Sequence, residues 1–120
     1  APIFLMLLDT AVKWAEELDI YLILDNHTFD TAVDTDPAVE NVLVKVWKQM
    51  ALHYKDNSDK LYYEVLNEPH GISDAVWGAI QGRVIDTIRT VDSKHTIIVG
   101  GAGWNGYNNL QFIPAYSDTN

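Results

Sequence analysis

The triplet Asn67-Glu68-Pro69 ends the apolar run Leu61-Tyr62-Tyr63-Glu64-Val65-Leu66 abruptly. Proline removes a ladder donor, so a strand cannot run on through Pro69. Asn67 and Glu68 therefore fall at the strand's C-terminal mouth, where α/β folds keep their chemistry. A carboxyl group held there beside an amide is a candidate general acid/base. Two more strand-like runs end in a similar way. Tyr21-Leu22-Ile23-Leu24 opens into Asp25-Asn26-His27, and Thr96-Ile97-Ile98-Val99 opens into a glycine loop bearing Trp104 and Asn105. In a parallel sheet these three ends lie side by side. Turn chemistry alone accounts for Asn26 and the glycines, and for Asp25 it stands level with a functional role. It accounts poorly for Glu68 before proline and for Trp104 in a glycine loop.

Read as one straight strand, Glu64, Leu66 and Glu68 share a face, with the two carboxyls about 13 Å apart. A retaining glycosidase needs carboxyls about 5 Å apart and an inverting one about 6.5–9.5 Å. Glu64 is therefore expected to be a satisfied polar group inside the sheet, and any partner for Glu68 must come from elsewhere. Asp25 and His27 also share a face, and with Glu68 they offer a metal-dependent hydrolase as an alternative. Against it, Pro69 turns the chain before His70. His53 and His95, at a helix end and a strand start, are expected to be structural or solvated. Gly101–Gly106 matches G-x-G-x-x-G after a strand, but a dinucleotide site needs a helix to follow at once. Tyr107-Asn108-Asn109 leading to Pro114 do not provide one. Trp104 suits stacking on a flat apolar face, including that of a sugar ring. A non-catalytic carbohydrate-binding domain with Trp104 as platform is the reading from outside the enzymes.

The elements that position these residues follow from periodicity. Phe4, Leu7, Leu8, Ala11, Ala15 and Leu18 predict the inner face of a helix over residues 3–18. A polar loop, Thr28 to Thr35, leads to Asp36 as N-cap and Pro37 at the first helical position. Val39, Leu43, Val46, Trp47 and Met50 then mark a helix to about Tyr54. Ser73 caps a third, with Val76, Ile80, Val84, Ile88 and Val91 inward and Gly78 and Gly82 weakening it. Residues 108–120 read as a short helical turn and a connector. Strands recur about 35–40 residues apart, the length of a βαβ unit. Flat apolar strands joined by helices predict a parallel sheet buried on both faces. The expected fold class is α/β, part of a (β/α)8 barrel, with an open doubly wound sheet as the competing architecture.

At 120 residues the chain has a net charge of -9, from 17 acidic and 8 basic residues. That argues against nucleic acid or an anionic membrane as partner, since both need a basic face. Without cysteine there is no disulfide or thiolate-metal framework. The run Ile3–Leu8 is too short for a membrane span and lacks the flanks of a signal peptide.

The chain resembles glycoside hydrolase family five, the cellulase family of retaining (β/α)8 glycosidases. Tyr21–His27 and Leu61–Pro69 look like its third and fourth barrel strands, and Thr96–Asn105 like the fifth. The resemblance implies Glu68 as general acid/base, Asn67 on the sugar 2-hydroxyl, His27 lining the same subsite, and Trp104 stacking on a sugar. It implies no metal and no organic cofactor, a β-linked polysaccharide as substrate, and a secreted or extracellular enzyme. It also implies a nucleophilic glutamate at strand seven, outside this chain, and an arginine from strands one and two. Residues 1–120 are thus expected to be a fragment of a single catalytic domain, completed by the rest of its own barrel. Alone, the chain is expected to be inactive and poorly stable.

Overall fold

The computed structural model describes residues 2–27, 30 and 32–118. Helix α1 (Pro2–Glu17) precedes strand β1 (Leu22–Asp25), helix α2 (Glu40–Tyr54), strand β2 (Leu61–Glu64), helix α3 (Asp74–Arg89) and strand β3 (Ile97–Ile98). Short 3-10 turns cover Pro37–Val39 and Tyr107–Phe112. The expected loop Thr28–Thr35 and the end of the 108–120 connector lie in part outside the described residues. Caps form where the sequence places them. Asp36 accepts from the Ala38 amide at 2.8 Å, and Ser73 from the Val76 amide at 3.3 Å.

The strands form one parallel sheet in the order β1-β2-β3, with Leu22 opposite Leu61, Asp25 opposite Glu64, and Glu64 opposite Ile98. Parallel neighbours need crossovers, which α2 and α3 supply. Leu24, Leu61, Tyr63, Val65 and Ile97 point toward the helices and are buried with Leu43, Trp47, Ala51, Ile80, Val84 and Ile88. The Trp47 indole also donates to the Val65 carbonyl at 2.8 Å, tying α2 to the strand end.

Burial on both faces of the sheet does not hold here. Ile23, Tyr62, Asp25, Glu64 and Ile98 share the opposite face, and Ile23 stays 49% exposed. In a closed barrel that face is covered by the strands across the interior.

Helix α1 departs from its expected face as well. Val12 and Ala15 are buried, while Phe4, Leu7 and Leu18 are exposed. Leu8 packs against the core at partial exposure. A cleft of about 480 Å³ opens between α1, β1 and α2, lined by Phe4, Leu8, Leu22, Val46 and Met50.

In α3 the buried face is Trp77, Ile80, Gln81, Val84, Ile85 and Ile88, and Val76 is exposed. Gly78 has a packing role there: a Cβ would lie 2.7 Å from the Pro114 ring, and the Tyr116 hydroxyl donates to the Gly78 carbonyl at 2.9 Å.

His95 is structural, as expected. Fully buried, its Nδ1 lies 2.6 Å from Asp92, and its Nε2 lies 3.0 Å from the Ser58 carbonyl. The Tyr63 hydroxyl donates to the same Asp92 carboxylate at 2.9 Å. His53 is exposed, on α2, and bonds Asp9 at 2.8 Å. Among the described residues no helix is long and apolar enough to cross a membrane.

Candidate active site

The parallel register brings the three polar strand ends together. Beyond the β2 ladder the coupling continues: the Asn67 amide donates to the Asn26 carbonyl at 3.1 Å, and the Val65 amide to Ile98 at 3.4 Å. His27 and Asn67 meet as a result, with Asn67 Nδ2 3.4 Å from His27 Nε2. His27 Nδ1 lies 2.8 Å from an Asp25 carboxylate oxygen. These partners fix the tautomer, because a carboxylate only accepts and an amide nitrogen only donates. Nδ1 carries the proton and Nε2 accepts from Asn67. Asp25 thus orients His27, and His27 orients Asn67.

Glu68 is exposed and stands apart from that chain of bonds, at the mouth of the sheet. Its backbone is left-handed, with φ of 47°. Such a conformation is uncommon for a residue with a Cβ and is held only by its surroundings. It corrects the straight-strand expectation. The ladder stops at Glu64, Leu66 turns into the core at 4% exposure, and Glu68 does not extend the Glu64 face. Beside Glu68 a cleft of about 460 Å³ is lined by Thr35, Val39, Leu66, Asn67 and His70.

Glu64 occupies the interior face opposite Asp25. Burial raises its pKa above the usual carboxyl range, and the neighbouring Asp25 charge raises it further, partly offset by His27. The Asn105 side-chain amide donates to Glu64 Oε1 at a long 3.5 Å, a weak bond. One Asp25 oxygen, Oδ1, is buried without a hydrogen bond among the described residues.

The Trp104 loop is built, not slack. Trp104 and Asn105 are both left-handed, with φ of 59° and 53°, and the Trp104 amide donates to the Pro69 carbonyl at 2.9 Å. Gly100 makes room for this geometry, since a Cβ there would fall 1.9 Å from Asn105 Oδ1. The indole lies flat on the His70 ring, centroids 3.5 Å apart and planes 7° from parallel. Trp104 remains 48% exposed, so the stack backs the indole without burying it.

His70, set aside in the sequence because proline precedes it, is 7% exposed and sits under Trp104. Local pattern could not find this, because the stack joins two different strand ends. Nor could it find Asn105 reaching Glu64.

The metal alternative gains no donor set. Asp25 and His27 touch, but among the described residues no three His, Cys, Asp or Glu side chains cluster to hold an ion. The glycine motif is followed by the 3-10 turn Tyr107–Phe112, not an α-helix, and so lacks the dipole end that a pyrophosphate needs.

The chain is similar to known proteins over nearly its whole length. A family model described as Cellulase (glycosyl hydrolase family 5) matches residues 2–119. Endoglucanase 3 of Fibrobacter succinogenes is 32% identical over 124 residues, covering 96% of this chain and 19% of that protein. A structure of Thermotoga maritima Cel5A in complex with cellobiose superposes with a TM-score of 0.90 at 28% identity, over 100% of this chain and 39% of that one. The same enzyme with mannotriose gives a TM-score of 0.88 at 28% identity, over 98% and 38%. The chain thus spans about a fifth of that curated relative and under half of each solved structure. Its three parallel strands and crossover helices form part of a (β/α)8 barrel, and the chain belongs to the cellulase family, glycosyl hydrolase family 5.

Proposed function

We propose that the protein containing this chain is a retaining endo-β-1,4-glycanase that hydrolyses β-1,4-glucan, with Glu68 as its general acid/base. The observation that carries the reading is Glu68 itself: an exposed carboxyl beside Asn67 at the C-terminal mouth of a barrel strand, in a chain of this family. In a retaining reaction Glu68 protonates the departing glycosidic oxygen while a second carboxylate attacks the anomeric carbon. Glu68 then takes a proton from the water that releases the sugar. The second carboxylate is supplied from outside residues 1–120, by the rest of the same catalytic domain.

Asn67 and His27 prepare the sugar's place. Because His27 Nε2 accepts from Asn67, the amide is oriented and its oxygen is left to accept from a sugar hydroxyl, the 2-hydroxyl in this reading. His27 lines the same subsite, 70% exposed at its side chain. Trp104 offers its outer face to a sugar ring. No cofactor enters this chemistry. The Thermotoga maritima relative has been seen with both cellobiose and mannotriose; glucan is the first substrate to test here, and mannan the second. A secreted or extracellular location is part of the same reading, since the polymer cannot enter a cell.

The test is Glu68→Gln in the full-length polypeptide that carries this segment. Turnover of a soluble β-1,4-glucan is expected to fall about 10²–10⁴-fold, the usual contribution of a general acid/base. Unchanged turnover would remove Glu68 from the mechanism.

A further inference from the structure

His70 links the end of β2 to the loops that follow β1 and β3. Its Nδ1 lies 2.9 Å from the Glu68 carbonyl oxygen, and a carbonyl only accepts, so Nδ1 carries a proton and donates it. That carbonyl belongs to the residue whose backbone is left-handed. The His70 ring lies flat under Trp104 at 3.5 Å. Its own backbone is held from the β1 side, where the His70 amide donates to Thr35 Oγ1 at 3.0 Å and the His70 carbonyl accepts from the Thr35 amide at 2.8 Å. One buried imidazole therefore touches the acid/base segment and the indole platform at once.

We propose that His70 is a positioning residue for hydrolysis: its Nδ1–H fixes the peptide that aims Glu68, and its ring sets the tilt of Trp104, so that acid and sugar platform keep one relative geometry. The inference rests on the reading of Glu68 as acid/base. The Nδ1–H bond locks the Glu68 carbonyl, and with it the direction of the Glu68 Cα–Cβ bond. The stack does the same for the indole plane. Misplacing a reacting group by about 1 Å can cost on the order of 10²-fold in rate, so a clamp two residues from the carboxyl has leverage.

The two contacts can be removed separately in the full-length polypeptide. His70→Asn keeps a donor close to the Nδ1 position and loses the ring. His70→Phe keeps a flat face and loses the donor. The readout is kcat/KM on two aryl β-cellobiosides, phenyl, whose leaving oxygen needs a proton, and 2,4-dinitrophenyl, which departs without one. Their ratio does not depend on how much of the protein is folded.

His70→Phe is expected to lower the phenyl value about 10-fold or more relative to the dinitrophenyl value. His70→Asn is expected to hold the ratio within about 2- to 3-fold of wild type while raising KM for cello-oligosaccharides roughly 5-fold. Equal losses on both substrates in His70→Phe, or the same ratio change in both variants, would overturn the proposal. Glu68→Ala run in parallel separates the two readings. If it lowers both substrates equally, the assignment of Glu68 fails and this inference with it. If it shows the leaving-group dependence and His70→Phe does not, only the role of His70 fails.

Discussion

Asp92 shows how far single groups are committed to their surroundings. Burial alone would raise its carboxyl pKa, but bonds from the Lys94 and His95 amides, the His95 ring and the Tyr63 hydroxyl outweigh burial and hold it below the usual range. A carboxyl depressed in the folded state stabilises the fold at pH above its unfolded value, and that contribution is lost as pH falls through the folded one. Stability in acid should therefore drop below about pH 4, the ordinary Asp range. Asp92→Asn should shrink that acid limb to the part carried by Asp9, Glu16 and Glu40, and cost about 1–3 kcal/mol at neutral pH, because it weakens the buried acceptor shared by Tyr63 and His95. Urea titrations of the full-length protein at several pH values would read both effects. Trp104 gives the residue-scale prediction for binding. Trp104→Ala should raise KM about 2- to 10-fold with kcat less affected, the value of one aromatic stack; oligosaccharide titration measures it. A fall in kcat alone would argue against a platform.

Within the elements, α3 shows packing overriding propensity. Gly78 should weaken a helix by about 1 kcal/mol relative to alanine. Yet its missing Cβ admits the Pro114 ring, and overpacking at such a contact costs about 1–3 kcal/mol. Gly78→Ala is therefore expected to destabilise the fold or release the segment around Pro114 and Tyr116, where propensity alone predicts a gain. A higher melting temperature in this variant would show that the segment yields freely. The loop after β3 follows the same logic: two consecutive left-handed residues and a glycine that accommodates the Asn105 side chain make a rigid mount for Trp104.

At the scale of the molecule, the sheet has one finished face and one open one. Leu43, Trp47, Ile80, Val84 and Ile88 complete the helix side, while Ile23 on the interior face and Phe4, Met6 and Leu7 on α1 stay exposed. Strands β1 and β3 also present unpaired edges within this sheet. Exposed edges and apolar patches drive association. The isolated 120-residue chain is expected to bind hydrophobic dyes, to associate, and to melt without a sharp transition; adding the remaining barrel segments in trans should sharpen it. A cooperative melt of a monomer would contradict this. Because the proposed mechanism takes its nucleophile from outside residues 1–120, the isolated chain is also expected to leave β-glucan intact, which a reducing-sugar assay checks.

The sequence by itself determined the alternation of helices and strands, the caps at Asp36 and Ser73, the end of the central strand near Asn67-Glu68-Pro69, and the family. These are local matters: residue period, cap chemistry and proline steric demands act over a few neighbours. Tertiary structure alone decided that Asp25 faces Glu64, that His27 meets Asn67, that Asn105 reaches Glu64, and that His70 lies beneath Trp104. It also decided that α1 buries Val12 and Ala15 while Phe4 and Leu7 stay exposed, and that α3 buries Trp77 and leaves Val76 out. Those outcomes depend on strand register and on left-handed turns at Glu68, Trp104 and Asn105, which no period encodes. A one-residue change in register would turn every strand side chain to the other face, so the site exists only once the sheet has formed.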